Sequence, residues 1–344
     1  MGIMVFGILL VYDVSMSESL EAFGTPWHFV LKQLLWAALG LGAFLVVSRV
    51  PLDWWKRAAP LIFGGAVLLL IAVLIPGIGT KVQGARRWIF LGPLSIQPAE
   101  LTKLAIILFF STWLERHQRF PPFLALTGLI AGLIILQPNL SMAAITIVLA
   151  TTLFFLAGGN LKPLFLFGTL GILLLSILII AVPYRRQRLL TFLNPASDPL
   201  GRSYHIRQIT IALGRGGWIG QGIGLSQQKY QYIPEASSDS IFAIWAEETG
   251  LVGSLTLIGV FTVLFGTCWY ITTQQTELFP FLVGAGITVW ITLHTLLNLA
   301  AMVALIPLTG VPLPLISAGG SSLLSFMVAL GIMNQLGRHT VQSR

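Results

Sequence analysis

The sequence predicts an all-α polytopic membrane protein of about ten transmembrane helices, with a large extracellular loop between the seventh and eighth. Three observations predict it. Charge is scarce: 9% of the 344 residues are charged and 56% are hydrophobic, against about 25% charged in an ordinary soluble domain. Apolar runs recur at bilayer length. Most of them are joined by short turns, so consecutive helices run back and forth.

A spanning helix needs about 20 apolar residues, because the hydrocarbon core is about 30 Å thick and each helical residue rises about 1.5 Å. In chain order the apolar segments are 1–12, 29–49, 58–76, 99–115, 122–136, 140–158, 161–183, 240–271, 279–304 and 314–337. The first is too short to span, so either the true start lies upstream or this helix is incomplete. Residues 184–238 interrupt the pattern with Arg, Gly, Gln and Tyr, and a long loop in a chain of short turns is usually functional. No internal repeat or heptad run stands out, and residues 1–344 read as one membrane domain.

Composition narrows the function. The single Cys, Cys268, rules out a disulfide framework and a Cys-based metal site. The formal net charge is +8, but basic residues scattered between apolar spans orient a membrane protein or meet anionic lipid, and no nucleic acid is expected. The first run lacks a basic n-region and a small-residue cleavage site follows nowhere near it, so it is expected to stay in the membrane.

Lys and Arg favour cytoplasmic turns, and here they divide. With both termini inside, the inner segments hold Arg49, Lys56, Arg57, Arg116, Arg119, Lys162, Arg338 and Arg344. The rest lie outside, nearly all in the loop 77–98, at the start of the fourth helix and in the loop 184–238, Lys32 being the exception. Long loops escape the rule, whereas the loop 77–98 counts against it. Termini inside is the expectation, with the outer basic clusters binding ligand.

Three constellations break the apolar monotony. In the first, Gly84-Ala85-Arg86-Arg87-Trp88 precedes Gln97-Pro98-Ala99-Glu100-Leu101-Thr102-Lys103. Pro98 suits a first helical turn, which sets Glu100 and Lys103 three apart on one face. Such a pair at membrane depth is a functional candidate or a structural lock of the helix end. The second is the long loop, with Arg185, Arg186 and Arg188 at its start, suited to a polyanion or to lipid head groups. His205 to Leu213 then reads as a short amphipathic helix on the membrane surface, followed by a Gly-rich run, Gly214 to Gly224. Gly220-x-Gly222-x-Gly224 follows no strand and is not a nucleotide loop. The third runs from Tyr232 through Pro234-Glu235-Ala236 to Asp239, with Glu247-Glu248 further on. Asp239 stands where the loop meets a long apolar helix. It either caps that helix or serves as a partly desolvated general base, and spacing does not choose.

Together these runs resemble the SEDS glycosyltransferases, the FtsW and RodA family. To them are added Gln137-Pro138-Asn139-Leu140, Phe192-Leu193-Asn194-Pro195, Glu247-Glu248-Thr249-Gly250, Thr309-Gly310-Val311-Pro312-Leu313-Pro314 and Gly319-Gly320-Ser321-Ser322. The match spans essentially the whole chain in order. Val11-Tyr12, Phe23-Gly24, Lys32-Gln33-Leu34-Leu35-Trp36 and Asp239-Ser240-Ile241-Phe242-Ala243 look more like FtsW than RodA.

The resemblance implies ten helices, both termini cytoplasmic, in the bacterial inner membrane. It implies an inverting peptidoglycan glycosyltransferase that polymerises lipid II into β-1,4-glycan for cell division or cell shape, releasing undecaprenyl pyrophosphate. Asp239 matches the family's essential acidic position, which makes it the catalytic base. Arg86, Arg87, Arg185, Arg186, Arg188 and Arg207 are the candidates for the departing pyrophosphate, with Mg or Mn as the possible divalent cofactor. Glu100, Lys103 and Glu235 complete the substrate-binding set; no protein metal site is expected. One base suffices because pyrophosphate leaves well, unlike the two carboxylates of glycoside hydrolysis. No Ser-x-x-Lys transpeptidase segment lies in an outer loop, so crosslinking is expected to fall to a class B penicillin-binding protein.

Asn139 stands where the family usually has Asp, and Ala318 where Tyr is common. Three other functions share the multi-span plan: a lipid II flippase, a non-catalytic scaffold for a transpeptidase, and an O-antigen-type polymerase. The flippase needs no outer base, the scaffold needs no Asp239, and the O-antigen type lacks this ordered motif set.

Overall fold

The structure is a computed structural model that describes residues 1–82, 84–92, 94–181, 183–194, 203–230 and 232–342. Each apolar segment of the sequence falls on a helix. In chain order these are α1 (Gly2–Phe23), α2 (His28–Val47), α3 (Leu52–Ala72), α4 (Pro98–Leu114), α5 (Phe120–Leu136), α6 (Leu140–Leu156), α7 (Leu161–Ala181), α10 (Ile241–Thr273), α11 (Leu278–Met302) and α12 (Gly320–Gln342). Two more, α8 (Pro183–Leu193) and α9 (Tyr204–Gly216), lie in the long loop. Six of the described helices are long and apolar enough to cross a membrane, and α5 and α6 are shorter apolar helices.

The first helix corrects the sequence reading. It runs 22 residues, and two polar residues after Tyr12, Asp13 and Ser19, find partners within the protein. Ser15 and Ser19 are buried, Ser19 Oγ donates to Thr25 O at 2.7 Å, and Asp13 pairs with Lys229. Gly24, in the left-handed region at φ 68°, closes the helix through its N–H to Leu20 O.

The loop before α4 also departs from the all-helical expectation. It holds a small antiparallel sheet ordered β1 (Thr80–Val82), β2 (Ala85–Leu91), β3 (Leu94–Ile96). Aromatic and β-branched residues alternate along β2, and Gly84 (φ 81°) and Gly92 (φ 63°) supply left-handed turns.

The chain divides into two compact units. One contains Met1–Leu34, Phe165–Val263 and His294–Gly319; the other contains Leu35–Leu164, Leu264–Leu293 and Gly320–Arg344. In the first, Phe6 of α1 meets Trp245 of α10 edge to face, with centroids 5.0 Å apart. In the second, Phe63 of α3 stacks on Phe109 of α4 at 4.1 Å, and Gln137 Nε2 donates to Leu70 O at 3.1 Å.

Candidate functional site

Asp239 is the last loop residue but one before α10, half-buried. Its position is set by main-chain bonds. Asn298 near the end of α11 donates Nδ2 both to Asp239 O and to Val311 O, each at 2.8 Å. Ala318 N donates to Ser237 O at 2.9 Å, and Gln33 Nε2 to Ser317 O at 3.4 Å. The Gly310-to-Ala318 segment therefore folds against the Pro234-to-Asp239 motif. Gly310, at φ 68°, is the residue beside the carboxylate: a Cβ there would stand 3.4 Å from Asp239 Oδ2. The backbone angle explains the glycine.

The turn ahead of Asp239 is strained. Glu235 takes φ 52°, a left-handed value that a non-glycine residue adopts at a cost and that clusters at functional sites. Its carbonyl accepts from Ser238 N at 3.1 Å and Ser240 N at 3.2 Å, while Ser238 Oγ donates to its carboxylate at 3.0 Å. Ser240 Oγ and His205 Nε2 share a 2.8 Å hydrogen bond, which ties α9 to the start of α10. The apolar face of α9, Ile206, Ile209 and Ala212, is buried. The apolar face of this helix therefore packs on the protein, while Arg207, Thr210 and Arg215 stay exposed.

Sequence reasoning missed the strongest electrostatic cluster. Lys229 Nζ lies 2.7 Å from Asp13 Oδ1 and 3.1 Å from Glu248 Oε1. Around it, Ser226 N donates to Glu248 Oε1 at 3.2 Å, Gln228 N to Glu247 Oε2 at 3.2 Å, and Ser226 Oγ to the same Glu247 oxygen. Arg215 Nη1 stands 3.8 Å from Glu247 Oε1. Burial works to lower the Lys229 pKa, but the bonds and charges of Asp13 and Glu248 outweigh it and leave it above the ordinary lysine value. Glu247 and Glu248 thus anchor the loop to α10. The signal available in sequence was only a lone Lys in a charge-poor stretch and an Asp at the end of an apolar run.

The other predicted residues are dispersed. Arg207 on α9 is exposed, as is Arg186 on α8. The side chains of Arg185 and Arg188 lie outside the described residues, as does the turn 195–202. Arg86 and Arg87 belong to the second unit. On β2 Arg86 is paired to Lys81 in register, and Arg87 falls at the register shift between the Lys81 and Thr80 pairs. Glu100 and Lys103 also belong to the second unit. They are fully buried and joined at 2.9 Å, with Lys103 Nζ 3.5 Å from Met142 Sδ and 5.2 Å from the Trp290 ring centroid. Asn139 caps α6, its side chain accepting from Met142 N at 3.3 Å, a role that Asn fills as well as Asp.

The family model described as "Cell cycle protein", for FtsW, RodA and SpoVE, matches residues 1–342. The chain belongs to this FtsW/RodA/SpoVE family. FtsW relatives include a probable peptidoglycan glycosyltransferase FtsW of Coxiella burnetii, 38% identical over 99% of this chain and 94% of that protein. Another, of Legionella pneumophila, carries the same description and is 34% identical over 96% of this chain and 87% of its own. Among solved structures, a chain from work on "structural coordination of polymerization and crosslinking by a peptidoglycan synthase complex" is similar with a TM-score of 0.78. It is 27% identical and covers 98% of both chains. The Thermus thermophilus rod shape determining protein RodA has the same fold, with a TM-score of 0.69 at 24% identity over 97% of this chain and 95% of that one. As an FtsW/RodA/SpoVE protein with these long apolar helices, the chain is an integral membrane protein.

Proposed function

We propose that the protein is an inverting peptidoglycan glycosyltransferase that polymerises lipid II at the outer face of the bacterial cytoplasmic membrane. About ten spans would place both termini in the cytoplasm, and the whole chain acts as one domain, since the unit boundaries at Leu34/Leu35 and Val263/Leu264 fall inside α2 and α10. The relatives described as glycosyltransferases support the reaction class. The observation that carries the assignment to a residue is the half-buried Asp239 carboxylate beside Gly310, on a peptide clamped by Asn298.

In this reading the Asp239 carboxylate takes the proton of the acceptor sugar's 4-hydroxyl as that oxygen attacks the donor's anomeric carbon. The bond from that carbon to the pyrophosphate breaks with inversion, and undecaprenyl pyrophosphate departs. Arg86, Arg87, Arg185, Arg186, Arg188 and Arg207 supply positive charge for the departing oxygens, and Glu235 shapes the turn that presents the base. Glu100 and Lys103 belong to the set as a pair whose ammonium an anionic head group would have to win from Glu100. Among the described residues no group of three or more His, Cys, Asp and Glu is gathered to hold a metal ion. A divalent cation such as Mg or Mn would enter bound to the pyrophosphate. Crosslinking falls to a class B penicillin-binding protein, a partner that the likeness to a chain of a synthase complex supports.

The test is polymerisation of purified lipid II by the native protein and by Asp239→Asn, each with and without the cognate transpeptidase. Glycan from the native protein and none from the variant is expected. Equal product from both would remove Asp239 from the mechanism, and product from neither would overturn the glycosyltransferase reading.

A further inference from the structure

The helix α10 is broken within its sequence. Gly250 takes φ 66° and ψ −159°, which leaves the N–H groups after it and the carbonyls before it without their usual partners in the helix. The Gly-rich turn of the long loop takes their place. Leu251 N donates to Gly217 O at 2.9 Å and Val252 N to Trp218 O at 3.1 Å, while Gln221 N and Gly222 N donate to Glu247 O and Glu248 O, each at 3.0 Å. Side chains are excluded from this junction. A Cβ on Gly250 would stand 2.5 Å from Gly220 N and 2.6 Å from Trp218 C, and one on Gly220 would strike Glu248 O.

The break divides two environments. Before it, Ile241 to Glu248 is almost wholly buried. After it, the run from Leu251 to Thr273 is about 34 Å long at about 1.5 Å per residue, enough by itself to cross the hydrocarbon core. Its face is exposed from the first turn, at Leu251, Val252 and Leu255. The turn is thus bolted to the chain at the edge of an apolar span. It carries four large exposed apolar side chains, Trp218 at 75%, Ile219 at 81%, Ile223 at 77% and Leu225 at 65%. No charged residue falls between Gly216 and Gln228. Arg215 is exposed just ahead of that stretch, where its charge suits lipid head groups.

We propose that the turn Trp218–Leu225 is seated in the membrane leaflet on the side of the long loop, with lipid as the partner of its apolar side chains. The argument for lipid is continuity. Trp218 is bonded through its carbonyl to Val252, so this exposed aromatic residue is fixed at the start of the exposed apolar run Leu251, Val252 and Leu255 of α10. Trp is also the side chain that favours the boundary between head groups and acyl chains. In water the same four side chains would form an uncovered apolar patch. The backbone at this depth is irregular, and the exchange of hydrogen bonds with the Gly250 break is what permits it there. Bilayer contact would then hold the Glu247–Glu248 segment, and the Lys229 cluster on it, at a fixed height. This inference does not depend on the reaction that the protein performs.

The test uses the full chain in vesicles of phosphatidylethanolamine and phosphatidylglycerol, with no other protein present. Single substitutions Trp218→Cys, Ile219→Cys and Ile223→Cys are labelled with an environment-sensitive fluorophore, and Gln227→Cys, at an exposed polar position, serves as the comparison. Cys268 is buried and stays unlabelled. The expected result is blue-shifted emission at 218, 219 and 223 that is lost to lipids carrying a nitroxide high on the acyl chain. Those three labels should also resist aqueous iodide that quenches the label at 227. Iodide quenching at 218, 219 and 223 equal to that at 227, without loss to nitroxide lipids, would overturn the proposal and leave the patch facing water. Three separate positions keep the result readable if one variant fails to fold.

Discussion

At Asn298 one side-chain amide does the work of two turns. Its Nδ2 reaches both Asp239 O and Val311 O, so removing it strands two carbonyls at a cost of about 1–3 kcal/mol each where they are buried. If Asp239 is the base proposed above, Asn298→Ala is expected to lower kcat for polymerisation while KM for lipid II stays near native, because Asp239 is displaced and the lipid-binding surface is not. A parallel rise in KM would show instead a general collapse of the loop. Lys229 makes a second prediction. Its ammonium neutralises the buried Glu248, and breaking a buried pair from one side costs about 3–5 kcal/mol. Lys229→Met should therefore lower the thermal midpoint sharply, and adding Glu248→Gln should recover part of the loss, read as a double-mutant cycle. Because the folded pKa of Lys229 is raised, its contribution is fully present below the ordinary lysine pKa of about 10.4 and is lost only as pH rises through the still higher folded value. The Lys229 contribution should be flat between about pH 6 and 9. The sequence singled out Asp239 by its place at a loop-to-helix boundary and by the family motif around it. Asn298 and Lys229 were not singled out, since their partners lie far off in sequence and neither belongs to a recognisable local pattern.

At the scale of elements, apolar length was enough to find the long helices, because a bilayer imposes one length on every crossing helix. Where polar side chains are satisfied by tertiary partners, length misleads. The first helix continues past Tyr12 because Asp13 finds Lys229, and no window on the chain contains that fact. The three short strands 80–96 were equally hidden, two of them only three residues long. The break in α10 was illegible for a related reason: Gly250 in an apolar run looks like a tolerated glycine until the turn that caps it is seen. Gly250→Ala is expected to separate the two elements, since the new Cβ meets backbone atoms of Trp218, Ile219 and Gly220 and the left-handed angle is lost. The measurement is hydrogen exchange at Gln221 and Gly222, whose amides are protected by Glu247 O and Glu248 O in the native protein. Fast exchange at these two amides with α11 unchanged would confirm that the glycine serves the junction. Native protection in the variant would show that the helix tolerates the side chain there.

For the whole molecule the open question is which side Asp239 faces, and the charges and bonds bear on it differently. The Lys and Arg count alone divides, because the loop 77–98 is basic. Folding weakens that objection: in β2 Arg86 and Arg87 are half-buried, so they are not the solvated cations of a short topogenic turn. Hydrogen bonds add a parity argument. Gln33 near the start of α2, Ser237 and Asp239 ahead of α10, Asn298 near the end of α11, and Ser317 and Ala318 ahead of α12 are linked to one another. If each of these helices crosses once, their linked ends share one side of the membrane. The helix α1 ends where α2 begins and α12 starts from this side, so both ends of the chain fall on the opposite side. The short turns there then contain Arg49, Arg116 and Arg119, as cytoplasmic turns should. The expected outcome is a fluorescent protein fused after Arg344 that matures in the cytoplasm, and an alkaline phosphatase inserted after Gln227 that is active outside. A dark fluorescent protein at Arg344 beside an active phosphatase at Gln227 would mean an even number of crossings between the two sites. An inactive phosphatase at Gln227 with the terminal fusion dark would turn the protein over in the membrane and put Asp239 on the face where an outer polymerase cannot use it.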